Sequence, residues 1–137
     1  HCGPQWAKRL VMTGDTITGS EAVEIGLVMK SVPADMLERE VEGLADRLAK
    51  IDPDLLTANK RIVNVGLELM GARTLQRMAA ENDARAHLAP GTRMFRKVAR
   101  ADGLKAALEG RDEGFGDGRA RVRGPEIRDD EGNLIDP

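Results

Sequence analysis

The sequence contains few residues that could ligate a metal or act as a nucleophile. The candidates for soft metal ligands are His1, Cys2 and His87. The first two are adjacent and the third is far along the chain, and neither a C-x-x-C nor an H-E-x-x-H spacing occurs. Thiol chemistry at Cys2 would need a histidine base held beside it by the fold. We therefore expect no metal site and no catalytic thiol.

Three further patterns could bind phosphates or cations. The glycines at 114, 116 and 118 lack the G-x-G-x-x-G spacing of a dinucleotide loop, which favours a flexible exit from a helix. The acidic run at 129–133 lacks the alternating ligands of a calcium loop, which favours a solvated turn. Arg119, Arg121 and Arg123 alternate, so an extended backbone would place them on one side, where they could meet phosphates. The acidic residues that follow weaken this interpretation.

Glu21 and Glu24 are the best-spaced pair of carboxylates, since residues three apart share one face of a helix. However, Thr18 and Glu21 fit a capping box, in which hydroxyl and carboxylate satisfy the free amides at a helix start. Capping explains Glu21 and solvation explains Glu24, so neither is assigned acid or base chemistry. We predict no catalytic residue in this chain.

The elements around these residues are mainly helical. Apolar residues recur at helical spacing over most of the first 113 positions, and Asp52-Pro53 is a typical helix start. Asp102 is expected to cap the last helix. Residues 27–32 are apolar and bounded by Gly26 and Pro33, which predicts one short strand. The fold class is therefore mainly α with one short strand at about 27–32.

The composition favours one globular domain. The 137 residues include 21 basic and 23 acidic ones, and this balance argues against binding nucleic acid or an anionic membrane through bulk positive charge. Apolar runs are far shorter than the roughly 20 residues of a membrane helix. One cysteine forms no internal disulfide, and no signal sequence is evident, so we expect a cytoplasmic protein. Residues 1–113 are expected to form the helical region and 114–137 a Gly/Arg/acid-rich, flexible tail.

A longer pattern lies at residues 7–33, which read AKRLVMTGDTITGSEAVEIGLVMKSVP. This segment resembles the enoyl-CoA hydratase/isomerase (crotonase) family, whose loose pattern is A-x-x-L-x-x-T-G-x-x-I-x-A-x-E-A-x-x-x-G-L-V-x-x-V-x-P. The likeness continues to residues 102–111, DGLKAALEGR, which look like the closing helix of that family. About the first 115 residues are covered and the tail is not.

The resemblance implies the C-terminal helical part of a crotonase-like α/β fold, a ββα spiral whose N-terminal core is absent from this chain. In that family the spiral supplies two backbone amides that hold the thioester oxygen, and hydratases add two glutamates. The helical part packs into trimers, often paired as hexamers, and covers the coenzyme A. Arg111 and Lys105 are then candidate contacts to coenzyme A phosphate, although six residues apart they lie on different helix faces. Acyl-CoA would be substrate, with no cofactor.

Two hypotheses follow for the function. The first is a region of an enoyl-CoA hydratase or isomerase of fatty-acid metabolism, supplying helices for oligomer contacts and for covering coenzyme A. The second is a non-catalytic helical association module or truncated inactive relative. In both, the expected partner is a homo-oligomer or the missing N-terminal core, and seven apolar residues are expected to pack there or in a core: Leu37, Val41, Leu44, Leu48, Leu55, Ile62 and Val63.

Overall fold

The computed structural model describes residues 1–135. It is mostly helical, with 66% of its residues in helices. There are seven α-helices in this part of the chain, which we number in order: α1 (Gly3–Thr13), α2 (Gly19–Glu24), α3 (Leu37–Ala49), α4 (Pro53–Leu69), α5 (Ala72–Ala86), α6 (Pro90–Ala101) and α7 (Leu104–Asp112). Short 3₁₀ turns at Ala34–Met36 and Glu113–Phe115 precede α3 and follow α7. The expected mainly helical class is therefore confirmed.

Local signals place several helix ends where the sequence predicts them. α1 ends at Gly14, whose φ of 75° lies in the left-handed region. The Thr18 hydroxyl accepts from the amide of Glu21, whose carboxylate accepts from the amide of Thr18, so the capping box is present. Asp52 accepts at Oδ1 from the amides of Asp54 and Leu55 at 3.0 and 3.1 Å and begins α4. These ends depend on neighbours within three residues.

The strand predicted at 27–32 is wrong, because these residues turn back toward α2. The amides of Leu27 and Val28 donate to the carbonyl of Ala22 at 2.9 and 3.3 Å, which leaves no ladder for a partner strand. The bridges found in residues 1–135 are isolated ones, Thr16 with Arg119 and Arg128 with Leu134. The prediction that Asp102 caps the last helix is also wrong: Gly103 is the N-cap residue and no side chain bonds there.

The described chain divides into two compact units. Unit 1 combines residues 1–33 with those from Val98 onward, and unit 2 is Ala34–Lys97. The buried apolar residues all lie in unit 1, and they are Ala22, Ala107, Ala120 and Leu134. Unit 1 thus takes residues from both sides of the expected boundary at 113/114, and the flexibility expected beyond it stays a prediction.

Unit 2 contains no buried residue within its range. Its helices are amphipathic, and their apolar stripes are exposed to solvent. The seven residues expected to pack against a partner or in a core are between 42% and 68% exposed: Leu37, Val41, Leu44, Leu48, Leu55, Ile62 and Val63. An apolar stripe that stays this exposed contributes little to the stability of the helix that carries it. Their packing against a partner stays a prediction.

Candidate functional site

The largest cavity described in unit 1 lies at the C-terminal end of α1. It has a volume of about 720 Å³, and its walls come from the end of α1, the connection to α2, the end of α7 and residues 115–118. The Thr13 hydroxyl shapes this corner, because it donates to the carbonyl of Arg9 at 2.7 Å and accepts from the amide of Asp15 at 3.1 Å. Val11 and Met12 are 83% and 80% exposed here. The cavity is therefore partly apolar and open.

Arg111, one of the two predicted phosphate contacts, lies at this cavity. Its Nε and Nη2 donate to the two carboxylate oxygens of Asp112 at 2.5 and 2.7 Å. This pairing raises the pKa of Arg111 and lowers that of Asp112, so both groups are charged at neutral pH. The adjacent carboxylate offsets the positive charge that a phosphate would meet. Arg111 is half-exposed, so its guanidinium is accessible to solvent.

Lys105, the other predicted contact, does not line the cavity. Its Nζ lies 3.6 Å from the Glu109 carboxylate, one turn along the same helix, and its side chain is 89% exposed. The two predicted contacts are thus not brought together at one site. Their role toward coenzyme A stays a prediction.

The Glu21 carboxylate joins α2 to the C-terminal segment. Oε2 accepts from the amide of Thr18 at 2.9 Å and from its hydroxyl at 2.7 Å, and Oε1 accepts from the amide of Val122 at 3.1 Å. The hydrogen bonds from Thr18 are the main reason that the pKa of Glu21 is lowered. Glu24 instead pairs with Arg123 at 2.7 Å. A carboxylate saturated with donors is a weak base, so this geometry suits structure better than proton transfer.

Arg9 and Glu126 form a contact that reasoning from the sequence missed. Arg9 Nη2 donates to Glu126 Oε2 at 2.9 Å and Arg9 Nε donates to Asp15 Oδ2 at 2.6 Å. These bonds raise the pKa of Arg9, with the Glu126 bond the larger cause. The two members of the longer pair are separated by 117 positions. No local pattern in the sequence could have indicated this pairing.

In residues 1–135 no three His, Cys, Asp or Glu side chains are grouped so that they could hold a metal ion. Within the same residues, no helix combines the length and the apolar character needed to cross a bilayer.

The sequence of this chain matches the family model for enoyl-CoA hydratase/isomerase over residues 1–118. The chain belongs to that family. The match ends inside the segment that follows α7, so the last residues lie beyond it.

The relatives that the chain resembles are consistent with this. It is 38% identical over 69 residues to a Mycobacterium tuberculosis protein named as an enoyl-CoA hydratase, EchA13, covering 50% of this chain and 22% of the relative. It is 39% identical over 62 residues to a short-chain-enoyl-CoA hydratase of Clostridioides difficile, covering 45% and 40%. The matched part of the chain therefore spans less than half the length of these relatives.

Two crystal structures of enoyl-CoA hydratase from Mycobacterium smegmatis are similar in fold. Their TM-scores are 0.79 and 0.80 at 35% identity, over 85% of this chain and 40% of theirs. The expected crotonase-like fold is thus confirmed.

Proposed function

We propose that this chain serves as the helical region of an enoyl-CoA hydratase or isomerase acting on acyl-CoA thioesters. In this proposal it supplies helices that pack against other subunits or the rest of the enzyme and that cover coenzyme A. The oxyanion hole and the acid/base pair then lie outside residues 1–135. The single observation that carries the proposal is the row of exposed apolar faces in unit 2 of a chain that belongs to this family.

The exposed area supports a large partner surface. The accessible surface is 11454 Å². Two compact proteins, each with half the mass of this chain, would together expose only about 8,500 Å². The accessible surface of the chain therefore exceeds that of two compact proteins by an area on the order of 3,000 Å². One side of a standard protein interface buries about 800 Å². The excess is several times that area, which favours contacts with more than one neighbour, such as a homo-oligomer or an N-terminal core.

Arg111 supports a contact with the thioester carrier. Its guanidinium lies at a cavity with mixed polar and apolar walls, and phosphate is a common partner of arginine. In this proposal a coenzyme A phosphate competes with Asp112 for the guanidinium. Coenzyme A is then part of the substrate, and the chain needs no cofactor. We place the protein in the cytoplasm, since its single cysteine forms no disulfide within the chain.

The first test measures turnover and association of the full chain together. We expect no hydration of a short enoyl-CoA, followed by loss of the conjugated thioester absorbance, because the catalytic groups lie elsewhere. Sedimentation should show species larger than a monomer. Hydration at enzyme-like rates would overturn the assignment of the chemistry to another segment. A strict monomer that binds no apolar dye would overturn the assignment of the exposed faces to partners.

A matched pair of variants on α4 makes the association test specific. Ile62→Asp places a carboxylate on the apolar face, where the side chain is 68% exposed. Asn64→Asp adds the same negative charge two residues along, where helical geometry places it on the polar face. We expect Ile62→Asp to shift the chain toward monomer and Asn64→Asp to leave the distribution unchanged, with equal helicity by circular dichroism. Equal association of both variants would remove the α4 face from the proposal.

The same exposed faces support a second candidate, a non-catalytic helical association module. Titration of the associated protein with an acyl-CoA in a calorimeter distinguishes the two. The enzyme-region proposal expects binding that Arg111→Gln weakens. A module that only associates would show assembly without any heat of binding.

A further inference from the structure

Helix α6 concentrates positive charge in a chain whose charges are otherwise mixed. Residues 84–101 hold five of the 21 Lys and Arg residues and none of the 23 Asp and Glu residues. Helical spacing places four of these five on one side of α6, in a line about 10 Å long. We call this line the basic row, and its members are Arg93, Arg96, Lys97 and Arg100.

The basic row faces solvent, and the opposite side of α6 is partly covered. Phe95 and Val98 are half-buried, whereas all four residues of the basic row are exposed. α6 separates its apolar residues from its charged ones more sharply than the other described helices of nine or more residues do. The basic row is therefore an outer face of the protein.

No acidic side chain of the described residues neutralises the basic row. Arg93 donates from Nε and Nη2 to the carbonyl of Leu88 at 3.2 and 2.9 Å, which fixes its side chain but leaves its charge unpaired. Arg96, Lys97 and Arg100 form no hydrogen bond or ion pair through their side chains in the part of the chain that the structure describes. These three cations are available to an anionic partner.

The basic row weakens the helix that carries it. Cations three and four positions apart repel each other, and each residue of the row has such neighbours within the row. The first turn of α6 contains no acidic residue, although the helix dipole favours negative charge there. The charges are thus not placed for the stability of α6, and bound anions would relieve the repulsion.

The net charge of −2 does not prevent α6 from binding anions. That balance argues against adsorption through bulk charge, which averages over the whole surface. At physiological salt the screening length is only about 8 Å, so an anionic surface in contact with the basic row senses the row before it senses the acidic residues elsewhere.

Exposed apolar side chains beside the basic row favour a lipid surface as the partner. Met94 is 60% exposed and lies three residues before Lys97, and Leu88, just before α6, is 70% exposed. On a bilayer, cations meet lipid phosphates while apolar side chains enter the boundary below them. Nucleic acids are instead bound with aromatic side chains that stack on bases, and Phe95 lies on the half-buried side.

We propose that α6 docks on the surface of an anionic lipid bilayer through its basic row, with Met94 at the lipid boundary. The helix then lies on the bilayer and does not cross it, as suits a helix of 12 residues. Each Lys or Arg near such a surface strengthens adsorption about fivefold. The inference rests on α6 alone and does not depend on the proposed enzyme function.

Sedimentation of the full chain with large vesicles tests this. The anionic vesicles contain phosphatidylcholine with about 30% phosphatidylserine, and the neutral ones contain phosphatidylcholine alone. We expect binding to the anionic vesicles only. Arg96→Gln combined with Lys97→Gln should weaken that binding about 25-fold, because two cations are removed. The double variant should keep its helicity by circular dichroism, since it removes repulsion within α6.

The control is Lys60→Gln combined with Arg61→Gln, which removes one Lys and one Arg from exposed neighbouring positions of α4. The net charge changes by the same amount, but the basic row is intact, so vesicle binding should be unchanged. Equal losses in the two double variants would mean that overall charge drives the binding, and the proposal fails. A full chain that does not prefer anionic vesicles overturns it directly.

A third variant separates a lipid surface from a soluble polyanion. Met94→Ser keeps every charge and removes the apolar side chain at the lipid boundary. We expect vesicle binding to fall about fivefold, since part of the methionine burial is lost, and binding of inorganic polyphosphate to stay as it is. Unchanged vesicle binding, or tighter binding of polyphosphate than of the vesicles, would overturn the assignment of the basic row to lipid.

Discussion

Glu21 allows the energetic value of one carboxylate to be tested, because its two oxygens serve different partners. Oε2 accepts from Thr18 at the start of α2, and Oε1 accepts from the amide of Val122 in the segment that follows α7. In Glu21→Gln only one oxygen remains, so either Thr18 or Val122 faces an NH₂ group. Hydrogen bonds to charged groups contribute about 1.5–3 kcal/mol each. After discounting for partial exposure, we expect a loss of about 2 kcal/mol.

The assay is urea unfolding followed by the fluorescence of Trp6. This is the single tryptophan of the chain and it lies on α1, so the signal reports unit 1. With a slope of about 1–2 kcal/mol per molar urea, a loss of about 2 kcal/mol lowers the midpoint by about 1–2 M. Circular dichroism of the variant before unfolding confirms that the helices remain.

Glu24→Gln is the matched control for this prediction. Glu24 lies on the same short helix and pairs with Arg123, whose side chain is 82% exposed. Exposed ion pairs contribute only about 0.2–1 kcal/mol, so the midpoint should fall by at most about half as much as in Glu21→Gln, that is by no more than about 0.5–1 M. If both variants lower the midpoint equally, the two-sided bonding of Glu21 contributes nothing beyond its charge, and the reasoning is refuted. A midpoint that falls less in Glu21→Gln than in Glu24→Gln would refute the reasoning as well.

Three further predictions concern pH, a turn and a helix cap. Hydrogen bonds hold the pKa of Glu21 and Glu126 below their ordinary value of 4.5, so their stabilisation of unit 1 is complete above that pH and is lost as the pH falls below it. An acid titration followed by Trp6 fluorescence checks this. An unfolding midpoint that does not change on acidification contradicts it. Gly71 has a φ of 88°, so Gly71→Ala should destabilise by about 1 kcal/mol, whereas Gly43→Ala inside α3 should stabilise by about 0.5–1 kcal/mol; thermal unfolding by circular dichroism should show opposite signs. Asp52→Ala should cost about 1 kcal/mol and raise hydrogen exchange in the first turn of α4, and unchanged exchange there would show that the cap is not needed.

The parts of the fold that could be predicted from the sequence are those set by neighbouring residues. The capping box of Thr18 and Glu21 and the start of α4 at Asp52 involve partners within three positions. The strand expected at 27–32 failed for a reason that composition does not contain. Its first amides are taken by the carbonyl of Ala22, so the chain turns where the apolar pattern predicted extension. β-propensity describes the fit to a sheet, and no sheet is available there in the described residues.

The site was harder to predict because its parts come from distant positions. Arg111 was identified from the resemblance, but its position at a cavity walled by α1 depends on how the ends of the chain meet. The pairing of Arg9 with Glu126 spans 117 positions, and a charge pattern does not indicate which of many acids an arginine selects. The adjacent Asp112 is visible in the sequence, but its bidentate bond to Arg111 is a matter of rotamers.

The two units differ in how far they bury their apolar residues. Unit 2 lies wholly inside the matched residues, and none of its residues is buried, which is the observation behind the partner we propose for its helices. Unit 1 buries four apolar residues, and two of them, Ala120 and Leu134, lie beyond the match at residue 118. The small core of unit 1 is therefore completed by the segment that follows α7. Because a core this small adds little free energy, the bonds of Glu21, Arg9 and Thr16 to that segment contribute much of the cohesion of unit 1.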